Sequence, residues 1–489
     1  MADLASSGPA DHASYQCSNP AHHLRNILFI SIVIGIFFVA FPFQVEPHEP
    51  EVRVWSTNRN ELFSEQLPIH FMPDNRMNQK VLPTIEVNEH QQFQEIVGYG
   101  AAMTDTSAWL IGTKMSQDQR NRVMYSLFDP REGIGLSVLR IPIGASDFTV
   151  SGMYSYDEQQ DPDLNRFSIA HDEAYIIPLL KQAMRLNPKL KIIASPWSPP
   201  AWMKTNASML GTSNGKVGTL DSTMYDVYAK YLVKFLQAYE ERGVPIYAMT
   251  VQNEPFSPVS TYPGMLFSAK QEAHFIGSYL GPAMENAHLS TKILVYDQNW
   301  DGANYPVEIL RDKIAEPYVG GIAWHGYHGD PLVMENIQQR YPTIEQYITE
   351  NSPGIAPWSP GQLITNTMRH WVKGIMLWNL ALDRNGGPKI GNGCNHCTGL
   401  VTINQQTGSF SFTKDYYELA QVSKIVDPGS FRIASINPGK LDVVAFKTTR
   451  GRKVVVVYND SPTSRFLQIR WRSQSFSYRV PNGITSFKW

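Results

Sequence analysis

Two glutamates stand out by what surrounds them. Glu254 belongs to Thr250-Val251-Gln252-Asn253-Glu254-Pro255, behind the apolar run Ile246-Tyr247-Ala248-Met249. Glu350 ends Ile344-Glu345-Gln346-Tyr347-Ile348-Thr349-Glu350 and precedes Asn351-Ser352-Pro353-Gly354. An apolar run closed by a Pro-containing stretch reads as a short buried strand whose last side chains spill into a loop. Strand ends are where a parallel barrel keeps its chemistry. Two carboxyls facing one cleft are the minimum equipment for cleaving a glycosidic bond. Taken singly, most glutamates are solvated loop residues, so the pair carries the argument.

The elements that must position them follow a strand-then-helix rhythm from Val97 onward. Eight candidate inner strands are legible: Val97–Ala102, Ser137–Ile143, Lys191–Pro196, Ile246–Glu254, Ile293–Asp297, Gly321–Trp324, Ile344–Glu350 and Ile375–Asn379. The clearest intervening helix is expected over Thr223–Arg242. Met224, Val227, Tyr228, Tyr231, Leu232, Phe235, Leu236 and Tyr239 keep i, i+3, i+4 spacing there, with Asp221 to Thr223 as N-cap candidates and Gly243 and Pro245 as stops. Eight alternations predict an α/β chain with a (β/α)8 barrel over 97–394. After about 395 the helical period disappears. Leu467, Ile469, Trp471 and then Phe476, Tyr478, Val480 alternate with polar residues, and Pro481-Asn482-Gly483 reads as a turn. This predicts an all-β sandwich domain over 395–489, completed by short strands at 51–96.

A chain of 489 residues with 43% hydrophobic and 18% charged residues builds a sizeable core. A net charge of −2 without a clustered basic surface argues against nucleic acid as a partner. Residues 1–26 read as a disordered cytosolic tail. Ile27 to Phe43 carries no charge and reaches the lower limit for spanning a bilayer. It is expected to be an uncleaved signal anchor, with secretion as the alternative if it is cut. Arg25 before it and Glu46, Glu49 and Glu51 after it orient the catalytic part to a lumenal or extracellular side, whether lysosomal, endomembrane or cell surface.

The motifs themselves resemble a known family. Gly98-Tyr99-Gly100-Ala101-Ala102-Met103-Thr104-Asp105, Leu139-Arg140-Ile141-Pro142 and Ala145-Ser146-Asp147-Phe148 are three of them. Ala194 to Asn206, Gln252-Asn253-Glu254-Pro255 and Leu377-Trp378-Asn379-Leu380-Ala381-Leu382-Asp383 continue the series in order. Together they are similar to glycoside hydrolase family 30, most strongly its glucosylceramidase branch, over roughly 90 to 489. The resemblance implies a barrel with an attached β-sandwich and retaining hydrolysis of β-glucosides, with Glu254 as acid/base and Glu350 as nucleophile. The apolar approach to Glu254 would desolvate its carboxyl and favour the neutral form that an acid needs. Arg140, placed in the substrate site by the resemblance, is the cation expected beside Glu350. By resemblance Asp147, Trp197 and Trp378 hold the glucosyl unit, and Asn253 reaches the sugar 2-hydroxyl. Tyr262 belongs to the cleft wall and Tyr327 lies near the nucleophile, with His325 and Asn379 also in the substrate site.

Glucosylceramide or a related glycosphingolipid is the leading substrate by this resemblance. An endo-β-1,6-glucanase or a xylan-cleaving enzyme is the alternative within the family, and a barrel that binds carbohydrate without cutting it is the alternative outside catalysis. Two segments depart from the animal glucosylceramidases: Asn351–Pro360 after the nucleophile, and Gly386–Gly399, which is closer to bacterial members. The leaving-group side is where these departures fall. No cofactor is expected. Cys394 and Cys397 have a zinc-like spacing, but no second pair exists to complete four ligands, so a local disulfide is expected in an oxidising lumen. Asn206-Ala207-Ser208 and Asn459-Asp460-Ser461 fit the N-glycosylation pattern.

Overall fold

The computed structural model describes residues 51–74 and 82–489. The anchor expected at 27–43 and the tail before it lie outside the described residues. Among the described residues no helix is long and apolar enough to cross a membrane.

Eight parallel strands close into a barrel, in chain order Gly98–Ala102, Val138–Ile143, Lys191–Pro196, Ala248–Thr250, Lys292–Asn299, Val319–His325, Glu345–Glu350 and Val372–Leu377. The eighth strand pairs with the first, Gly374 opposite Gly98, so no edge remains. Each strand, or the residue just before it, sends one side chain into the same interior layer: Val97, Val138, Ile193, Ala248, Leu294, Ala323, Tyr347 and Met376. Side chains two residues further along a strand point the same way. That next layer is Arg140, Ser195, Thr250, His325 and Thr349, all buried and polar. The barrel interior therefore changes from apolar to ionic within one pleat. The fourth strand is shorter than expected, ending at Thr250, so Glu254 stands on the loop beyond it. The expected long helix forms as a 3-10 turn over Ser222–Met224 and an α-helix over Tyr225–Glu241, with the Asp221 side chain accepting the Thr223 N–H.

N- and C-terminal strands share one eleven-stranded sheet. Glu51–Thr57 pairs antiparallel with Gly483–Lys488, while Thr84–Glu95 pairs antiparallel with Phe431–Ser435 and parallel with Arg465–Trp471. Strands distant in the sheet order meet face to face: Phe476 and Tyr478 touch Phe487, with ring centroids 5.6 and 5.1 Å apart. The turn at Pro481–Gly483 thus crosses between layers and is not a hairpin, because the strands it joins do not pair with each other. The opposite face of the sheet, through Val444, Phe446, Val454 and Val456, joins the large core around the barrel.

The stretch after 395 is not wholly β. A small sheet of Ala381–Asp383, Val401–Ile403 and Phe410–Phe412 is followed by the helix Lys414–Ser423, and sandwich strands begin only at Phe431. The helix escapes a periodicity reading because it is covered on several sides. Buried Glu418 sits among its apolar residues, accepting the Gly361 N–H at 2.8 Å.

Candidate active site

Glu350 ends the seventh strand with its Oε2 accepting from Arg140 Nη1 at 2.5 Å and its Oε1 from the Tyr327 hydroxyl at 2.9 Å. Arg140 is fully buried, and every arm of its guanidinium is used. Its Nη2 donates to Asn253 Oδ1 at 2.7 Å and to Asp297 Oδ2 at 2.8 Å, and its Nε to Ser195 Oγ at 3.2 Å. Trp197 and Trp378, stacked with centroids 5.2 Å apart, present ring faces to the same guanidinium. A guanidinium only donates, so the Asn253 atom facing it is the amide oxygen. The Asn253 amide nitrogen is then left for the cavity.

Asp297 is the residue that sequence reasoning missed as part of the site. Alternation along the fifth strand would send Tyr296 inward after Leu294. A register shift between Tyr296 and Gln298, with φ of 81° and 60° at Tyr296 and Asp297, reverses this. Tyr296 packs outward against Tyr305 and Trp324, and Asp297 turns into the barrel. The Tyr296 N–H goes to buried Glu272 at 3.2 Å. Besides Arg140, Asp297 accepts from Ser195, Thr250 and Thr349 hydroxyls at 2.9, 2.8 and 2.6 Å and from His325 Nε2 at 3.2 Å. Burial opposes its charge, but Arg140 and then His325 outweigh burial and hold this carboxyl far below the usual carboxylate range.

His325 bridges this buried anion to Glu254, with Nδ1 3.2 Å from Glu254 Oε1. Burial alone would discharge the imidazole. Glu350, followed by the hydrogen bonds to Asp297 and Glu254, overcomes that and pushes it up to about 10. At neutral pH His325 is an imidazolium, donating from both nitrogens. Glu254 takes its place in a left-handed turn, φ 48°, with its backbone N–H on the Asp297 carbonyl. Its side chain remains 21% exposed, so the desolvation expected from the preceding apolar run is only partial. The strand stops four residues earlier and leaves Glu254 at the cavity wall. Glu254, His325 and Glu350 bring one polar atom each within 4.8 Å of one another. Both ring nitrogens of His325 are already engaged, Nδ1 with Glu254 and Nε2 with Asp297, each at 3.2 Å.

A cavity of about 520 Å³ opens over the two glutamates, lined in part by Asp147, Trp197, Asn253, Tyr262, Tyr327 and Trp378. Asp147 Oδ1 is buried and has no partner. Burial, followed by the nearby charge of Glu350, pushes that carboxyl up to about 8, although the backbone N–H groups of Asp147 and Cys394 favour its charged form. An orphaned carboxyl oxygen on a cavity wall is a site for ligand hydroxyls. The Cys394–Cys397 disulfide also lines this wall.

Three residues expected to touch substrate lie behind the cavity instead. Arg140 and His325 sit beneath the carboxylates they bind. Asn379, 1% exposed, gives its Oδ1 to the Thr104 hydroxyl at 2.9 Å. Asn459 cannot serve as a glycan acceptor in this fold. It is fully buried, and its amide nitrogen donates to the carbonyls of Thr463, Val480 and Pro481. A sequence triplet carries no information about burial. Asn206 is half-buried, its amide nitrogen donating to the Leu210 carbonyl at 3.0 Å.

Residues 96–426 match the Glycosyl hydrolase family 30 TIM-barrel domain, and 429–487 match the beta sandwich domain of the same family. The chain is 33% identical over 408 residues to an endo-1,6-beta-D-glucanase of Neurospora crassa, covering 80% of this chain and 84% of that protein. It is 30% identical over 423 residues to the lysosomal acid glucosylceramidase of Mus musculus, covering 81% and 80%. Among solved structures, the endo-beta1,6-glucanase BT3312 superposes with a TM-score of 0.79 at 30% identity, covering 90% of this chain and 99% of that one.

Proposed function

The chain belongs to glycosyl hydrolase family 30 and is an O-glycosyl hydrolase, and from that premise we propose retaining cleavage of β-glucosides, with Glu350 as nucleophile and Glu254 as acid/base. The observation that carries this is the spacing of the two glutamates, whose carboxyl oxygens approach within 4.8 Å. Retaining enzymes hold their carboxyls about 5–5.5 Å apart, whereas inverting ones need roughly 6.5–9.5 Å to admit a water. The partners divide the roles. Glu350 accepts from a buried guanidinium and a tyrosine, which fix its carboxyl at the cavity floor for attack.

Charge accounting supports the same division. With Glu254 protonated, Arg140 and His325 are balanced by Asp297 and Glu350. Attack of Glu350 on the anomeric carbon forms a covalent glycosyl ester and removes its charge. In the same step Glu254 gives its proton to the leaving oxygen and becomes the second anion. The buried cluster stays neutral while charge passes from one glutamate to the other, and water attack reverses the exchange. Asn253, held by Arg140, turns its amide nitrogen toward the sugar 2-hydroxyl, a contact that strengthens in the oxocarbenium-like state.

For the substrate, we favour a β-1,6-linked glucan over glucosylceramide. The similarity to the Neurospora crassa enzyme and to BT3312 supports this choice. The glucosylceramide reading draws on the Mus musculus relative. Activity of the purified protein on β-1,6-glucan, glucosylceramide and xylan tests the choice: preferential release of glucose-containing products from β-1,6-glucan is expected, and turnover confined to glucosylceramide or xylan refutes it. The apolar run at 27–43 and the Cys394–Cys397 disulfide support a placement outside the cytosol. Digestion of the barrel by protease added to the cytosolic side of intact membranes would contradict that placement.

A further inference from the structure

The retaining mechanism leaves one wall of the cavity without a task. Around the barrel the strands run fourth, fifth, sixth, seventh, eighth, first, second, third. Asp147, Trp197 and Trp378 follow the second, third and eighth strands and form one wall. Ser257, Asn299 and His328 come from the ends of the fourth, fifth and sixth strands and form the other. Glu254 and Glu350 stand at the two borders between them. A bond held between these carboxyls has its glucosyl unit against the wall with the orphaned Asp147 oxygen. Its leaving group then meets the opposite wall.

That opposite wall is equipped to donate hydrogen bonds. Asn299 Oδ1 accepts the Tyr327 N–H at 3.2 Å, which fixes the amide so that its nitrogen is turned away from that contact. Among the described residues that nitrogen has no protein acceptor. Ser257 Oγ accepts from Gln298 Nε2 at 3.0 Å, leaving its own O–H proton to give. His328 is exposed at the rim of the same wall. Ile355, contributed from beyond the seventh strand, is the aliphatic side chain lining the cavity here, 49% exposed, and Phe256 beside Ser257 is exposed to the same degree without lining it. A lipid-binding surface is marked by a contiguous apolar patch larger than about 300–600 Å², whereas a sugar needs a few placed donors and acceptors.

We infer that Ser257, Asn299 and His328 form a leaving-group subsite for a hydroxyl-bearing sugar unit, with Asn299 as its principal specificity-determining residue. This rests on the glycosidase reading above but not on the 1,6 linkage. The test compares wild type, Asn299→Asp and His328→Ala on β-1,3-, β-1,4- and β-1,6-linked glucose disaccharides and on a nitrophenyl β-glucoside. Asn299→Asp removes the donors and keeps an acceptor for the Tyr327 N–H. The loss in kcat/KM should be at least tenfold greater on the best disaccharide than on the aryl glucoside, and should reside mainly in KM. Equal losses on both, or no loss on the disaccharide, would overturn the subsite. If a linkage other than 1,6 is cut and shows the differential loss, the subsite stands and the β-1,6 choice falls. If wild type hydrolyses glucosylceramide and the aryl glucoside but no disaccharide, the subsite falls while retaining chemistry stands. Should either variant misfold, wild type decides alone: a free glucose disaccharide added during aryl glucoside turnover should capture the glucosyl unit as a trisaccharide. Absence of that product would count against a sugar-binding wall.

Discussion

The seventh barrel strand carries a glutamate at each end, and the two live in similar company. Glu345, at the start, accepts from Lys292 at 2.6 Å, Lys373 at 2.8 Å and the Tyr347 hydroxyl at 2.6 Å. Burial opposes its charge, but these donors hold its carboxyl down to about 2. Glu350, at the finish, has Arg140 and Tyr327. Charge, burial and hydrogen bonding alone do not tell the two apart. At the first end the neighbours close on one another: Lys292 also donates to the Tyr247 hydroxyl, which lies 3.0 Å from that of Tyr347. At the other end the network stops at a cavity, with Asp147 Oδ1 unpartnered and the Asn253 amide nitrogen turned into it. An ionic cluster that faces itself ties strands together, and one left open toward a cavity can act on what enters it.

Removing one charge from each end of the strand separates the two roles. Glu350→Gln should abolish turnover, by about a millionfold for a lost nucleophile. Glu345→Gln should do the reverse, costing about 1 kcal/mol of stability after discounting its partial exposure and leaving kcat nearly intact. Steady-state kinetics and thermal melts of both variants decide it, and a kcat loss in Glu345→Gln rivalling that of Glu350→Gln would erase the distinction.

Within the open end, Glu254→Gln should lose roughly 10²–10⁴ on unactivated glucosides. Formation of the glycosyl-enzyme from aryl glucosides with acidic leaving groups should survive, and azide should restore turnover with a β-glucosyl azide product. Reversal of this behaviour between the two glutamates would exchange their roles. A smaller effect is expected at the glucosyl wall. Asp147→Ala leaves sugar hydroxyls without their partner, at about 1–3 kcal/mol for a desolvated group left unpaired, roughly five- to a hundredfold in kcat/KM. Glucosides should suffer more than xylosides, which lack the hydroxymethyl arm, and equal losses would limit Asp147 to hydroxyls the two sugars share.

The smallest effect lies in the pH dependence of stability. The folded-state pKa of Glu345, about 2, lies below its ordinary value of 4.5. Its stabilisation is therefore present above pH 4.5 and disappears as pH falls through 2. The melting-temperature gap between wild type and Glu345→Gln should close over that interval. A gap independent of pH would mean that the lost contacts are not ionic.

The two glutamates were legible because a Pro-containing loop follows each apolar run, and the eight strands because the rhythm repeats. Asp297 was not: the expected fifth strand ended on it, but alternation from Leu294 sends Tyr296 inward and Asp297 outward. Its inward aim comes from a bulge that reverses the alternation on which a sequence reading depends. Arg140 was legible as the cation beside Glu350, but its burial and the place of His325 were hidden: a motif names a residue but not whether it faces the cavity or the carboxylate beneath it. Buried Asn459 and the covered helix Lys414–Ser423 make the same point on the sandwich side, where packing against a neighbouring layer overrides the local pattern.

A covalent bond between Glu350 and the sugar can be trapped as an intermediate. A 2-deoxy-2-fluoro-β-glucosyl substrate with a good leaving group should inactivate the enzyme with one fluoroglucosyl addition. Peptide mapping by mass spectrometry should place it in the segment ending Ile348-Thr349-Glu350. A label on Glu254, or release of the α-anomer as the first hydrolysis product from a β-glucoside, would contradict the account.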